Sequence, residues 1–524
     1  MDTRMRRWRG TAVVSWLGAP DMVPHAERPA GPHTVRMSRV AAGALVFSTS
    51  AAVLVLEILA VRLLAPYVGV TLETYTAIIG VVLAGISTGS WAGGRLADRL
   101  SPGRLLGPLL ILGGAFALLV TPIVRVAGTV AHGGQAVAVL SLALAGFFAP
   151  AAVLSAVHPT VVKLQLADLR ETGRVVGRLS AVATAGAILG TLVTGFLLVA
   201  ALPVSRIVLG VGVVLVATGV VLSLRFRGGA GLPPGPLVLA VAAAVFGQLL
   251  GDPCQVQSPY FCARVERDPG RPSGRLLILD DLVHSYVDLR DPTRLEYDYV
   301  RELGGVLDAA GPARAPLEVL HVGGGGFTLP RYLAVSRPGS RSVVLELDPA
   351  IARLARERLG LVTGPDLRVE LGDARLSLAR QPAAGYDVVV GDAFGGRAVP
   401  WHLTTREFVA GVRRTLRPGG VYAVNLIDAP PLGFVRAEAA TLRAAFRHVA
   451  LVAPPDRLGA RQAGNFVLLG SDAPLPLAAV QRAAARHGQP TGVLDGPALD
   501  RFIGRAEVLT DDHAPVDQLV SRRG

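Results

Sequence analysis

Residues with recognisable chemistry follow four short apolar runs in the second half of the chain. They are Gly323, Gly324, Gly325 and Gly326 after the first run, Glu346 at the end of the second, Asp373 after the third and Asp392 at the end of the fourth. Glycines let the backbone approach a ligand closely and adopt positive φ. An acid about twenty residues further on can accept hydrogen bonds from ribose hydroxyls. The order and spacing therefore predict a nucleoside site, with Asp373 near the adenine edge and Asp392 facing the reacting centre.

Each of these residue types also has an ordinary structural role. A glycine-rich turn after a strand is often only a tight turn, and an aspartate before a helix is often an N-cap. A dinucleotide fingerprint is a poor fit, because Leu329 stands where its third glycine should pack the helix. The glycines followed by Glu346 and "GDA" are instead typical of an S-adenosylmethionine-type fold.

The elements that must position these residues alternate between strand-like and helix-like segments. The strand-like runs are 317–322, 342–347, 367–371, 386–392 and 421–427. This alternation predicts an α/β fold, a methyltransferase-like (Rossmann-type) doubly wound sheet that binds ligands outside the carboxyl ends of its strands. The stretch before it, "YFCARVERD", "PGRPSG" and "RLLILDDLVHSYVDL", predicts a small β-hairpin subdomain.

The first half of the chain predicts a multi-span α-helical membrane domain. The 524-residue chain has only 17% charged residues, and its mean hydropathy of +0.47 is too apolar for a soluble protein of this size. Apolar runs lie near 39–65, 74–94, 105–127, 136–156, 180–202, 206–224 and 235–251. The last is the shortest, and Pro233, Pro234 and Pro236 crowd its start. Inside the first run, Glu57 and Arg62 are expected to pair with each other or to snorkel.

These patterns divide the chain into four regions. They are a disordered basic tail (1–38), a transmembrane domain of about six or seven helices (39–251), a β-rich subdomain (252–310) and a nucleoside-binding catalytic domain (311–524). Basic residues concentrate before the first run and in alternate loops, which places the N-terminus in the cytoplasm. The net charge of +13 therefore predicts contact with the lipid bilayer rather than with nucleic acid.

The side of the membrane on which the catalytic domain lies follows from the number of spans. Seven spans place the catalytic domain outside the cell, where Cys254 and Cys262 would favour a disulfide. The alternative is that the two residues are reduced thiols. Six spans and a run at 235–251 that enters without crossing place it in the cytoplasm, where S-adenosyl compounds are made. We expect a multi-pass cell-membrane protein with its catalytic domain in the cytoplasm. Two cysteines are too few for a zinc cluster, so no metal is expected.

Several motifs resemble the membrane-fused spermidine synthase (polyamine aminopropyltransferase) family. They are "SPY" at 258–260, "LLILDDLVHSY", "LEYDYVREL", "HVGGGGFTLPRYL", "VVLELDPAI", "LGDA" and "YDVVVGDAF", with "RLLAPYVG", "GGRLADR", "GAILGTLVTGFLL" and "LTDDHAPVD" in the membrane half and the tail. The resemblance implies decarboxylated S-adenosylmethionine as co-substrate and a polyamine acceptor, which is putrescine, giving spermidine, in the family. A homodimer is a further expectation.

The resemblance also assigns roles to single residues. Glu346 matches the acid that binds the ribose, Asp373 and Ala374 match the pair at the adenine, and Asp392 matches the aspartate that accepts a proton. Tyr299 matches the tyrosine of a Tyr-His pair. His284 stands where the family often has glutamine.

The sequence departs from the family where the diamine is held. Gly326 and Gly395 replace acids, Val300 replaces the histidine after Tyr299, and Phe261 replaces the glutamine after "SPY". The acids that could substitute as diamine anchors, or could simply lie in surface turns, are Asp280, Asp281, Asp511 and Asp512.

Three functions remain open from the sequence. The first is aminopropyl transfer with Asp392 as the base. The second is methyl transfer from S-adenosylmethionine to another acceptor. The third is a transporter or sensor that binds a polyamine or nucleoside without turnover.

Overall fold

The protein is described by a computed structural model that covers residues 37–70, 72–130, 136–166, 168–227, 234–396 and 399–520. The expectation of a disordered tail falls on residues outside this description, except for Met37 and Ser38. Ser38 is a helix N-cap, since its hydroxyl accepts a hydrogen bond from the Ala41 amide at 3.2 Å.

The first half of the described chain is helical. Its helices are α1 (Arg39–Val68), α2 (Leu72–Arg99), α3 (Pro102–Gly128), α4 (Ala136–Gln165, with a π-helical turn at Leu144–Phe148), α5 (Leu169–Ala201, with a π-helical turn at Thr194–Leu198), α6 (Val204–Arg227) and α7 (Pro234–Leu249). The first six are long and apolar enough to cross a membrane. The predicted multi-span helical domain is thereby confirmed, and α7 is the shorter apolar helix.

Glycines let these helices pack closely. A Cβ on Gly89 of α2 would lie 1.9 Å from the Ala152 carbonyl oxygen of α4, and a Cβ on Gly186 of α5 would lie 2.3 Å from the Phe47 carbonyl oxygen of α1. No side chain fits at such a distance, so the backbones are in direct contact. This is the packing by which small residues join helices in lipid.

The ends of α6 and α7 lie at opposite ends of α3. The last turn of α6 lies at the start of α3, because a Cβ on Gly103 would lie 3.1 Å from the Phe226 ring. The residue after α7, Leu250, lies at the other end of α3, where its carbonyl accepts a hydrogen bond from Arg125 at 2.6 Å. The chain between Phe226 and Leu250 therefore travels from one end of the helical bundle to the other.

The β-hairpin subdomain expected from the sequence is a four-stranded antiparallel sheet in the order β1-β2-β3-β4. Its strands are β1 (Val256–Gln257), β2 (Cys262–Asp268), β3 (Arg271–Leu279) and β4 (Leu282–Asp288). A helix, α8 (Asp298–Ala309), leads from it to the next sheet.

The larger sheet has eight strands in the order β12-β10-β11-β9-β8-β5-β6-β7. Its strands are β5 (Glu318–Val322), β6 (Arg341–Glu346), β7 (Leu367–Leu371), β8 (Tyr386–Gly391), β9 (Leu416–Asp428), β10 (His448–Ala453), β11 (Gly464–Ser471) and β12 (Gly492–Asp495). Strands β9, β8, β5, β6 and β7 are parallel, as predicted. The antiparallel strands β10 to β12 extend the sheet at one side and were not predicted.

Helices cover both faces of this sheet. They are α9 (Thr328–Ser336), α10 (Pro349–Arg358), α11 (Ala374–Ala379), α12 (Arg406–Thr415), α13 (Gly433–Ala445), α14 (Pro455–Leu458), α15 (Leu477–Arg486), α16 (Gly496–Ile503) and α17 (Val516–Leu519). Neighbouring residues of β5 face different cores: Val319 packs with Leu303 and Leu333, whereas Leu320 packs in the core that holds Phe434. The sheet is therefore doubly wound, as the predicted methyltransferase-like fold requires.

The helical bundle and the β-hairpin subdomain are joined by polar contacts. Arg62 near the end of α1 donates a hydrogen bond to the Pro259 carbonyl at 2.7 Å and another to the Ser258 carbonyl, rather than forming the expected pair with Glu57. Arg125 near the end of α3 contacts Asp252 at 3.5 Å. The Val204 amide at the start of α6 donates to Gln257 at 2.9 Å. Each contact fixes the β-hairpin subdomain to the same end of the bundle.

Next to these contacts, Cys254 and Cys262 form a disulfide. The sequence had left two reduced thiols and a disulfide as alternatives. The bond ties the segment after α7 to the first residue of β2.

We predict that Gly89→Val destabilises the membrane domain, because the new side chain must push the α4 backbone away. Overpacking of this kind costs on the order of 1–3 kcal/mol, so the purified protein should unfold in detergent several degrees lower than the parent. Gly80→Val in the same helix is the matched control, since nothing lies within 4 Å of a Cβ at that position. Equal melting temperatures for the two variants would contradict the close contact of α2 and α4.

Candidate active site

The glycine turn after β5 is shaped by close contacts that a side chain would prevent. Gly323 has a φ of 96°, and a Cβ there would lie 2.4 Å from the Asp392 carbonyl oxygen. Gly325 has a φ of 50°. Glycine alone adopts such angles freely, so the turn can pass directly beside the end of β8.

Gly326, which replaces a family acid, has a structural reason to lack a side chain. A Cβ there would lie 2.7 Å from the Cβ of Ser285 in β4. The Gly326 amide donates a hydrogen bond to the Ser285 hydroxyl at 3.0 Å. Strand β4 of the hairpin subdomain thus occupies the space that an acidic side chain would need, and it forms one wall of the site.

Glu346 is tied to the glycine turn by hydrogen bonds. Its carboxylate accepts from the Gly324 amide at 2.9 Å and from the Asp348 amide at 2.8 Å. Burial raises the pKa of Glu346, and these backbone donors oppose that change. A carboxylate has about four lone-pair sites, so Glu346 keeps acceptor capacity for ribose hydroxyls at the end of β6.

Asp392 follows the last residue of β8 and is oriented by a short polar relay. The Asn425 side-chain amide donates to the Asp392 carboxylate at 2.9 Å, and Asn465 donates to the Asn425 carbonyl oxygen at 3.0 Å. Burial raises the pKa of Asp392 to about 6, against the lowering effect of the Asn425 hydrogen bond. A carboxylate with such a pKa is ionised near neutral pH but accepts a proton more readily than an exposed aspartate does.

A cleft is bordered by both the glycine turn and Asp392. Its lining residues are Ser285, Tyr286, Tyr299, Val300, His321, Gly323, Gly324, Thr328, Leu329, Pro330, Val390 and Asp392. Burial raises the pKa of Tyr299 well above its usual range, and the nearby charge of Asp392 adds to the effect. Among these lining residues Asp392 is the only carboxylate, and Val300 contributes an apolar surface beside Tyr299.

Asp373 and Ala374 lie at the end of β7, where the adenine edge was expected. Asp373 is the N-cap of α11, since one carboxylate oxygen accepts from the Leu376 amide at 3.0 Å. Its other oxygen is 3.2 Å from His402 Nε2. Asp373 therefore has the ordinary N-cap role. The oxygen that does not cap the helix faces His402 at the carboxyl edge of the sheet.

His284 packs against the segment that follows Asp392. Its ring lies edge-on to that of Phe394, with the ring centroids 6.1 Å apart. Burial lowers the pKa of His284 to about 4, so the imidazole is neutral at physiological pH. His284 is thus placed to support the loop after β8 rather than to carry a charge.

The acids proposed as substitute diamine anchors lie elsewhere. Asp280 accepts from the Cys262 amide at 2.9 Å and faces Arg62, and its pKa is raised to about 6 by burial. Asp281 lies against Gly69, after α1. Asp511 pairs with Arg375 at the surface. Neither these three acids nor Asp512 is among the residues that line the cleft described above.

A scan against protein-family models finds no match for the chain. The chain is 32% identical over 247 residues to the polyamine aminopropyltransferase of Vibrio vulnificus, an alignment that covers 45% of this chain and 79% of the relative. The chain belongs to the polyamine aminopropyltransferase family. It is accordingly a transferase of the spermidine synthase class.

Other members of the family match over a smaller share of their length. The polyamine aminopropyltransferase of Mycobacterium tuberculosis is 32% identical over 286 residues, which cover 50% of this chain and 53% of the relative. Polyamine aminopropyltransferase 2 of Streptomyces coelicolor is 36% identical over 208 residues, which cover 36% of this chain and 35% of the relative. A crystal structure of a probable spermidine synthase from Corynebacterium glutamicum is 31% identical, covers 49% of this chain and 95% of its own, and has a TM-score of 0.46.

Sequence reasoning missed three residues that shape the site of this family member. They are Ser285, which bonds the glycine turn, His321, whose Nε2 is 3.3 Å from the Ser342 hydroxyl, and Asn425, which orients Asp392. Burial lowers the pKa of His321 to about 3, so its ring is neutral. A lone polar residue inside the apolar runs "LHV" and "AVNLI" was the available signal, since buried polar groups need partners.

We predict that Glu346→Ala weakens the binding of methylthioadenosine by at least tenfold, measured by calorimetry on the purified protein. Charge-assisted hydrogen bonds to the ribose should contribute about 1.5–3 kcal/mol. Glu318→Ala is the control, because Glu318 lies at the opposite end of the neighbouring strand β5. Undiminished affinity in Glu346→Ala would remove the ribose assignment.

Proposed function

We propose that this protein is a membrane-bound aminopropyltransferase that moves the aminopropyl group of decarboxylated S-adenosylmethionine to an amine acceptor. The single observation that carries the proposal is the position of Asp392, which has a raised pKa and lies beside the glycine turn. Glu346 would hold the ribose, and Asp373 with Ala374 would lie at the adenine. Family membership supplies the reaction class.

The proposed reaction needs a base and a fixed orientation of the two reactants. The acceptor nitrogen attacks the carbon next to the sulfonium, an N–C bond forms and the C–S bond breaks. The electron pair of that bond remains on sulfur, which leaves as neutral methylthioadenosine. Asp392 takes the proton of the acceptor nitrogen, and Asn425 keeps the carboxylate in a fixed orientation. Orientation of the two reactants in the cleft supplies most of the remaining effect.

The acceptor in this proposal is an amine of the polyamine class, with putrescine as the first compound to test. A diamine carries a second ammonium group, which a carboxylate usually holds. Among the described cleft residues Asp392 is the only carboxylate, and it is already engaged as the base. This observation favours a second candidate, methyl transfer from S-adenosylmethionine to an acceptor without a distal charge.

The membrane half supports the location that we propose for the activity. Six helices are long and apolar enough to cross a bilayer, and the polar contacts of Arg62 and Arg125 join the bundle to the catalytic half, which comprises residues 252–520. We therefore propose a multi-pass protein of the cell membrane.

The test is incubation of the purified protein with each sulfonium compound and a panel of amines, followed by mass spectrometry of the products. Asp392→Asn should cut aminopropyl transfer by roughly a hundredfold while it preserves the affinity for methylthioadenosine, since it removes a base and keeps the shape. Full activity in Asp392→Asn would contradict the mechanism. Methylated products alone would establish the second candidate instead.

The pH dependence follows from the raised pKa of Asp392. Because only the ionised carboxylate accepts a proton, kcat/KM should fall as the pH drops through about 6. Asn425→Ala removes the hydrogen bond that lowers this pKa, so the acidic limb should move to higher pH. Asn465→Ala keeps the bond between Asn425 and Asp392 and should shift the limb less. An acidic limb that does not move in Asn425→Ala would show that another group controls it.

A further inference from the structure

Contacts at the helix ends distinguish the two ends of the membrane bundle. One end carries the catalytic half, through Arg62 near the end of α1, Arg125 near the end of α3 and Val204 at the start of α6. At the opposite end, the other helix termini contact each other. There Lys163 of α4 pairs with Asp98 of α2 at 2.7 Å, and Gln165 donates to the Met37 carbonyl, just before α1, at 2.9 Å.

Basic residues are concentrated at the end away from the catalytic half. The residues of the described bundle that lie there are Arg39, Arg95, Arg99, Arg104, Lys163, Arg170, Arg174, Arg178 and Arg225. The catalytic end has Arg62, Arg125 and Arg206, of which the first two bond to the catalytic half. Lys and Arg in short loops mark the cytoplasmic side of a membrane protein, so this distribution places the catalytic half on the other side.

The direction of α7 agrees with this placement. A Cβ on Gly247 would lie 3.8 Å from Pro122, and Leu250 bonds to Arg125, so α7 and α3 run in the same direction. The helix has 16 residues, about 24 Å at the usual rise, somewhat less than the ~30 Å of a hydrocarbon core. Local thinning of the bilayer and the flanking residues can accommodate such a helix. The chain therefore reaches the far side before the catalytic half begins.

The disulfide is an independent observation at the same end. Cys254 and Cys262 lie between α7 and the hairpin subdomain, and they are bonded to each other. Structural disulfides form and persist in oxidising compartments and are rare in the cytosol. The charge distribution and the cysteine chemistry both indicate the extracytoplasmic side for this end of the bundle.

We propose that the catalytic half lies on the extracytoplasmic side of the membrane and that its cleft takes its nucleoside and amine ligands from that side. This reverses the cytoplasmic placement expected from the cofactor supply. The ligands of the cleft must then be nucleoside sulfonium compounds and amines that are present outside the cytoplasm. This placement does not depend on aminopropyl transfer. Calorimetry on the purified protein tests ligand binding in the cleft independently of the side of the membrane on which the cleft lies.

The test is labelling of single introduced cysteines in intact bacterial cells with a maleimide that does not cross the membrane. Val362 in the catalytic half and Leu169 at the basic end of the bundle are matched positions, 82% and 83% exposed. Val130, beyond the end of α3, is 85% exposed and reports the catalytic end of the bundle itself. The parent protein, labelled in parallel, measures the background from Cys254 and Cys262, and labelling after permeabilisation shows that each introduced cysteine is accessible.

Val362→Cys and Val130→Cys should react fully in intact cells, and Leu169→Cys should react only after permeabilisation. Labelling of Leu169→Cys in intact cells, or protection of Val362→Cys until permeabilisation, would overturn the proposal.

A second measurement uses the parent protein and a permeant maleimide applied to intact cells. Cys254 and Cys262 should stay unmodified until the protein is denatured and reduced, as mass spectrometry would show. Alkylation of both cysteines before reduction would contradict an oxidising compartment and the placement with it.

Discussion

The close approach of two strand ends is the constraint on which the catalytic half depends. The turn after β5 passes so near the end of β8 that Gly323 cannot carry a side chain. This contact brings the amide of Gly324 to Glu346 and leaves Asp392 beside the same turn. Parallel strands end at a common edge, so one glycine contact keeps both Glu346 and Asp392 beside the same turn. A larger residue at position 323 would separate the two halves of the site.

The same region explains why the departures from the family pattern are consistent with an intact fold. Gly326 lacks the family acid because Ser285 and Val287 of β4 fill that space. The hairpin subdomain is consequently packed tightly on the turn, and the Ser285 hydroxyl satisfies a backbone donor. Val300 contributes apolar surface to the same cleft. Asp392 thus lies beside the glycine turn, and the other residues that line the cleft carry no carboxylate.

Much of the central sheet and the order of the site residues could be predicted from local patterns. Apolar runs predicted β5 to β9, and the residues after them could be assigned to one edge because parallel strands share it. The rest depends on contacts between distant residues. Arg62 bonds to a carbonyl group 197 positions away, and Asn425 bonds to an aspartate just after the end of another strand. The direction of α7 is also set by packing on α3, which its short apolar run did not reveal.

The contact of Arg62 with the hairpin subdomain has a mechanical consequence. Arg62 extends from a membrane helix to the Ser258 carbonyl, and the Ser258 hydroxyl donates to Asp348, two residues beyond Glu346. A short chain of hydrogen bonds thus joins α1 to the strand end that carries Glu346. In the proposed membrane-bound enzyme, tilting of α1 would be transmitted along this chain, so lipid composition and lateral tension would become physical variables of the proposed nucleoside site.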